Sequence, residues 1–395
     1  LFRLGDFYEM FFDDARQASG ILGIALTSRQ SAPMCGIPHH AASGYISRLL
    51  RAGCKVAVCE QTEDHKQAKG IVRRELIRII TPGTAVEDEL LPAARNNYLA
   101  AVCRAGAVYG LARLDLSTGE FAVAEFPARE NLLSELSRLR PSECLLPASW
   151  GAGGGGEGAI RSEGTVFSPW EDWRFDYDAG YAALKKQFAV ASLDGFGLRG
   201  MIPAVSAAGA VVQYAEENLK SSLGHVLSLR VYQPGEAMIL DAATARNLEL
   251  VEPLRSSDRS ATLFGVLDRT LTPLGSRALR SWILSPLRKP DEINRRLDRV
   301  EALAEDRGLL SGLREELRGI RDLERIVART ACGATQAREL AGLRDSLRKI
   351  PPLRRRLESA SRPLWDDLLS RLDPCAEIEE LLGRALLDEP PLSIR

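Results

Sequence analysis

The chain has 395 residues, 45% of them hydrophobic and 27% charged, with a formal net charge of −1. That length suits two or three domains of ordinary globular composition, and no apolar run approaches the roughly 20 residues that a membrane-spanning helix needs. Seven cysteines, an odd number without C-x-x-C pairs, argue against a disulfide framework and for a reducing compartment.

Charge is uneven along the chain: residues 1–95 carry +1, residues 96–245 carry −5 and residues 246–395 carry +3. The middle third is therefore the least suited to touch phosphates. From the N-terminus the pattern alternates. Leu1–Gly5 and Ile24–Ser28 read as strands, and Asp13–Leu22 and Ala41–Ala52 as helices. Lys55–Gln61 and Leu76–Thr81 read as short buried strands rich in β-branched residues. Between them, Pro33-Met-Cys-Gly-Ile-Pro38 reads as a small apolar loop whose two prolines hold its shape.

This first segment is an α/β domain. An acidic, proline-containing gap at Val86–Pro92 precedes strands at Tyr98–Val102, Val108–Leu116 and Glu120–Ala124, the last two joined by a Ser117-Thr118-Gly119 turn. A helix at Glu130–Leu139 and a short strand at Glu143–Leu146 follow. Gly151–Gly158 has the composition of a linker, with a surface loop inside an α/β domain as the competing reading. After about Ser206 strand signals nearly vanish. Ala207–Lys220, Ala242–Val251 and Thr262–Trp282 read as helices. From Pro290 leucine and arginine recur at three- and four-residue spacing, punctuated by prolines near helix starts. The last third is a helical scaffold whose charges read mostly as solvated faces.

The densest chemistry lies at the start. Gly5–Asp14 crowds four aromatics (Phe7, Tyr8, Phe11, Phe12) and four carboxylates (Asp6, Glu9, Asp13, Asp14) into ten positions. Phe11 and Phe12 read as core, and Asp13 and Asp14 as N-terminal caps of a helix. Strand alternation puts Phe7 and Glu9 on one face. A free ring beside a hydrogen-bonding acid suits DNA, because the ring can unstack a base step while its polar neighbour reads a base edge. Phe7 as plain core stays open at this level. Lys66, Lys69, Arg73, Arg74 and Arg78, offset only by Glu75, form a +4 cluster that suits either phosphates or a solvated loop. The four carboxylates also raise a magnesium nuclease. Cys35, His39 and His40 raise zinc, but no second ligand pair follows at metal spacing.

GDFYEMFFDDA, PMCGIPHHA, VAVCEQ and RIITPGT, in that order and spacing, resemble the mismatch-recognition domain of the MutS family of DNA mismatch repair proteins. The similarity continues through NNYLAAV, YGLARLDLSTGEF, the Arg246-Asn-Leu-Glu-Leu block, LDRTLTPLGSRALRSWILSPL and DEPPLSIR, so it covers essentially the whole chain. The resemblance implies a multidomain α/β plus all-α fold. A mixed-sheet recognition domain is expected over residues 1–95 and a ribonuclease-H-like connector over 96–222, with the glycine run as one of its loops. The first section of a helical core with its levers is expected over 223–395.

By the same resemblance the family's Phe-x-Glu motif falls on Phe7, Tyr8 and Glu9. Phe7 is expected to wedge from the minor groove onto a mispaired or unpaired base, and Glu9 to hydrogen-bond that base. A mismatch weakens pairing and stacking, so kinking costs less there than at a matched step. Tyr8, Met34, His39, Lys66, Lys69, Arg73, Arg74 and Arg78 are the further expected DNA contacts. Two departures bear on Met34 and His39: the Arg29–Pro33 loop is shorter than in many relatives, and His39 stands where tyrosine is expected.

The partners implied are mismatched duplex DNA, MutL and, in the full-length protein, a second copy. The chain opens on Leu1 and reads as a piece of a longer bacterial, cytoplasmic protein, ending where a clamp would begin. The family's main dimer contacts lie beyond it, so the piece is expected to be monomeric. No Gly-Lys dipeptide occurs, so the chain carries no G-x-x-x-x-G-K-[ST] phosphate loop. The family's ATP and Mg2+ belong to a later ATPase domain, and neither catalysis nor a cofactor is expected of this stretch. A MutS paralogue acting in recombination is the alternative reading, and the Phe-x-Glu motif argues against it.

Overall fold

Gly5 is the first residue whose backbone sets the shape. Its φ of +61° begins a two-residue reversal, so Phe2–Leu4 (β1) and Phe7–Phe11 (β2) pair antiparallel with Leu4 opposite Phe7 and Phe2 opposite Glu9. The structure is a computed structural model that describes residues 1–62, 72–151, 160, 162–255, 258–360 and 363–391. It divides into two units, one of Leu1–Pro92 with Asn97–Tyr232 and one of Ala93–Asn96 with Gln233–Arg395.

In the first unit, Phe12–Leu22 (α1) follows β2 directly. Then come Thr27–Arg29 (β3), Ala32–Pro38 (β4), Ala42–Arg51 (α2), Val56–Gln61 (β5) and Arg74–Ile80 (β6). The strands form one sheet in the order β3-β4-β2-β1-β5-β6, in which only β1 and β5 run parallel. Tyr8 and Met10 of β2, Cys35 and Ile37 of β4, and Val56 and Val58 of β5 bury one face of the sheet. They pack against Ala15, Ala18 and Leu22 of α1 and Ile46, Leu49 and Leu50 of α2. The expected loop at Pro33–Pro38 is therefore a strand, flanked by β3 and β2. Its prolines stand second and last in the strand, where a missing N–H disturbs the ladder least. The strand expected at Ile24–Ser28 is shifted to Thr27–Arg29.

A second sheet is built from Tyr98–Ala105 (β7), Val108–Asp115 (β8) and Glu120–Phe126 (β9), then Arg129–Leu139 (α3), Glu143–Pro147 (β10), Ala148–Gly151 (α4) and Val166–Trp170 (β11). Tyr177–Phe188 (α5), Ile202–Leu219 (α6) and Arg230–Val231 (β12) complete it. The order is β11-β10-β7-β8-β9-β12. An antiparallel meander of β7, β8 and β9 is extended by β10 and β11, both parallel to β7, which is the ribonuclease-H-like arrangement. The glycine run lies, after Gly151, outside the described residues. The strands on either side of it, β10 and β11, pair with each other, so it connects neighbours in one sheet.

Helix α6 is apolar nearly all round and lies deep in the core. It approaches α5 at two glycines: a Cβ on Gly209 would fall 2.1 Å from Gly180 Cα.

One carboxylate joins the two sheets. Glu143, fully buried at the start of β10, accepts hydrogen bonds from the Thr81 hydroxyl, the Gly83 N–H (3.1 Å), the Ser168 hydroxyl (2.6 Å) and the Tyr214 hydroxyl (2.7 Å). Lys55 Nζ stands 3.7 Å away. A buried charge is tolerated when it is this fully hydrogen-bonded and paired.

The second unit is helical: Ala242–Asn247 (α7), Leu263–Leu267 (α8), Pro273–Leu284 (α9), Pro290–Glu305 (α10), Arg307–Leu317 (α11), Leu323–Ala331 (α12), Ala337–Leu347 (α13), Ile350–Ser359 (α14), Asp366–Leu369 (α15) and Ala376–Ala385 (α16). The single helix expected at Thr262–Trp282 is broken in two. Thr272 caps α9 by accepting from the Gly275 N–H, and Pro273 takes its first turn. Not all charges here are solvated. Arg277 is buried against Asp322 (2.6 and 2.7 Å), Glu324 (2.5 Å) and the Ala93 carbonyl (3.1 Å). Arg325 donates to the Arg95 carbonyl (3.0 Å), and Arg329 pairs with Glu339 (2.5 Å). Arg277 and Arg325 tie residues 93–96 into the helical unit. Among the described residues no helix is long and apolar enough to cross a membrane.

Two outcomes follow from this packing. Gly209→Ala forces the α5–α6 crossing apart and is expected to cost on the order of 1–3 kcal/mol of unfolding free energy in urea titrations. His225 donates from Nε2 to the Leu116 carbonyl (2.8 Å), while its Nδ1 is buried with no partner among the described residues. Burial lowers its pKa below the usual 6.5. The unfolded chain therefore takes up a proton first, and the contribution of His225, complete above about pH 6.5, is lost as pH falls through the depressed folded value. Wild type should lose urea resistance between pH 7 and 5 more steeply than His225→Gln.

Candidate nucleic-acid interface

Register and alternation decide which side chains share the helix-free face of the first sheet. They are Phe2 and Leu4 of β1, Phe7, Glu9 and Phe11 of β2, Met34, Gly36 and Pro38 of β4, and Thr27 and Arg29 of β3. Phe7 is 48% exposed. Gly36 sits directly opposite Glu9, and a Cβ there would lie 3.7 Å from Glu9 Cγ and 3.9 Å from Phe7 Cδ1. The glycine thus leaves a gap in the surface beside the ring and the acid. Arg29 reaches across β4, and its guanidinium donates to Glu9 Oε2 at 2.9 Å. Met34 is half-buried, and its carbonyl accepts from the Thr27 hydroxyl at 3.0 Å.

Tyr8, between Phe7 and Glu9, turns to the other face. It is 7% exposed, its hydroxyl donates to the Glu60 carboxylate, and its ring lies 5.3 Å from that of His39. Burial and then Glu60 raise its pKa well above the usual 10. The structure places Tyr8 as an anchor of the strand from inside, not as a surface contact. His39 is exposed, and its backbone N–H donates to the Asp6 carbonyl at 2.9 Å.

Among the described residues, the three arginines of the expected basic cluster are each engaged by a separate partner. Lys66 and Lys69 lie outside the described residues. Arg73 is exposed and pairs with Glu75 at 2.7 Å. Arg74 is half-buried and spends its donors on the carbonyls of Arg3 (2.8 Å) and Val72 (3.0 Å). Arg78 is paired with Glu87. All three belong to β6 or its approach, at the opposite end of the strand order from β3.

Phe12, expected in the core, is 66% exposed. It opens α1 with a φ of +54°, and this left-handed junction turns its ring outward; Phe11, also expected in the core, is half-buried on the open face. Gln30 (φ +49°) and Ser31 (φ +69°), which join β3 to β4, are left-handed too. These three residues line one hollow of about 550 Å3 together with Leu4, Phe11 and Arg29. Left-handed non-glycine residues carry strain, and such strain clusters at functional sites. Asp13 is spent on Arg16 at 2.5 Å. The Cys35 thiol points into the core, where it donates to the Ala15 carbonyl at 3.4 Å. Among the described residues no group of three or more His, Cys, Asp or Glu is placed to hold a metal.

Arg29 and Gly36 are the site residues that sequence reading did not single out. A lone arginine beside a Gln-Ser pair gives no hairpin signal of the Asn-Gly kind. Gly36 becomes informative only once its neighbour across the ladder is known.

Three family models match the chain: MutS domain I over residues 1–89, MutS domain II over 97–226 and MutS domain III over 243–395. The chain belongs to the MutS family. It is similar to the DNA mismatch repair protein MutS of Symbiobacterium thermophilum, at 42% identity over 402 residues that take in 100% of this chain and 46% of that protein. The MutS of Pelotomaculum thermopropionicum is 42% identical over 100% of the chain and 46% of its own length, and that of Syntrophomonas wolfei is 44% identical over 76% and 36%. This MutS-family chain thus spans about half the length of the first of the curated relatives it matches, 46%. None of its three matched domains is an ATPase domain.

The Gln30-Ser31 turn of this MutS-family chain gives a direct test of the strain. Two left-handed residues in succession are what a type I′ turn demands, and Asn-Gly meets that demand at lower cost. Gln30→Asn with Ser31→Gly is expected to raise unfolding free energy by ~1 kcal/mol. Thermal and urea unfolding of the double variant against wild type measure it.

Proposed function

We propose that the open face of the first sheet reads mispaired and unpaired bases from the minor groove, with Phe7 stacking on the base and Glu9 hydrogen-bonding it. The observation that supports this most is the exposed Phe7 ring beside Glu9 on a face that no helix covers, while Tyr8 is fastened inside. An inserted ring must unstack a base step, at a few kcal/mol or so. A defect has already lost part of that stacking, so docking on bent DNA is favoured there. Met34, exposed His39 and Arg73 are suited to further contacts along the backbone and groove, as are Lys66 and Lys69. Arg74 and Arg78 are committed within the fold and support the sheet.

On this reading residues 1–95 recognise the defect, 96–222 connect, and 223–395 begin a helical core. The full-length protein would be a homodimeric, ATP- and Mg2+-dependent sensor that signals to MutL from the bacterial cytoplasm. Binding by the piece alone should be weak and strongly salt-dependent, because few phosphate contacts lie within it.

The test is equilibrium binding at one low salt concentration to a short labelled duplex with a single unpaired thymine and to its matched twin. Wild type should prefer the bulged duplex, and Phe7→Ala should lose about tenfold on it and little on the twin, since stacking one base on a ring is worth ~1–3 kcal/mol. Equal binding of both duplexes by wild type, or a preference that survives Phe7→Ala, would remove the ring from recognition.

A further inference from the structure

The pair between Arg29 and Glu9 differs from the buried arginine pairs of the helical unit and, unlike the exposed pairs, engages a largely covered carboxylate. Arg277 is buried and grips Asp322 with two nitrogens. Arg29 makes one contact, at 2.9 Å, with its own side chain 53% exposed and that of Glu9 15% exposed. It stands on β3, a three-residue edge strand exposed throughout, beside the left-handed Gln30-Ser31 turn. A single contact whose guanidinium is half-exposed contributes little net stability, and water can replace it at the arginine end. A guanidinium binds a phosphate oxygen at least as well as a carboxylate. Yet while Arg29 holds Oε2, that oxygen is not available to a base.

We propose that Arg29 is an exchangeable latch on Glu9. In the free chain it lays the carboxylate across β4, so approaching phosphates meet a neutral pair and not a bare negative charge. On docking it releases Glu9 to the base and takes a backbone phosphate. The acid is thereby presented only where DNA lies against the sheet. This inference rests on the reading of Phe7 and Glu9 given above.

A double-mutant cycle in the 395-residue chain tests it, with Arg29→Met, Glu9→Gln and the double variant bound to the duplex with one unpaired thymine and to its matched twin across a salt series. A latch makes a signed prediction. Arg29→Met in the presence of Glu9 loses a phosphate contact but no longer has a pair to break, so affinity should fall only about threefold. In the Glu9→Gln background there is no pair to break, and the same change should cost about tenfold. In both backgrounds the slope of log affinity against log salt should shrink by about 0.9, one phosphate's worth; Arg29→Lys should keep it. Equal costs in the two backgrounds would overturn the latch. A larger cost with Glu9 present and an unchanged slope would also overturn it, making Arg29 a fixed counter-ion. If wild type does not prefer the bulge, the recognition reading falls and the latch with it. A bulge preference lost in Phe7→Ala, without the signed coupling, leaves recognition standing and removes the latch alone.

Discussion

The burial of Tyr8 is the constraint from which the recognition surface follows. A strand slipped by one residue exchanges its two faces. Here the ring of Tyr8 packs in the core and its hydroxyl is tied to Glu60 on β5. A slip would bury Glu9 and expose Met10, Tyr8 and a severed hydrogen bond. The outward placement of Phe7 and Glu9 is thus imposed from the core side, and neither residue needs a partner of its own to stay outside. Gly36 on the neighbouring strand then decides how much room the pair has.

Polar groups at depth perform a matching task elsewhere. Glu143 draws donors from Thr81 and Gly83 on one side and from Ser168 and Tyr214 on the other, joining the segments before and after the Val86–Pro92 gap. Arg277 and Arg325 do the same in the helical unit for the carbonyls of Ala93 and Arg95. Such networks fix geometry more than they add stability, because each member is costly to leave unpaired. They also explain why arginine-rich helices read as solvated from sequence: spacing alone does not reveal which guanidinium has a carboxylate waiting inside.

Local periodicity made much of this legible. A β-branched run marks β5, short apolar runs mark the meander of β7, β8 and β9, and three- to four-residue spacing marks the helices of the last third. Strand alternation alone puts Phe7 and Glu9 on one face. What escaped depends on pairing across the chain. Pro33–Pro38 looks like a loop because its prolines outweigh the Cys35–Ile37 alternation, which matters only when β2 and β3 flank it. Phe12 looks like core because a left-handed helix start cannot be seen in composition. Basic residues adjacent in sequence, Arg73, Arg74 and Arg78, suggest one patch, yet the fold gives each a different partner.

The short edge strand β3 has a consequence for the molecule outside any complex. Phe2, Phe7 and Phe12 are all more than two-fifths exposed, and an uncovered apolar face of this kind invites self-association in water. The neighbouring edge is a poor template for it. Three residues, a charged arginine and a tight left-handed turn leave almost no length for an incoming strand. Clustering on the β3 side of the sheet would therefore run face to face, through rings that water can separate again, and away from the irreversible strand addition that open sheet edges promote.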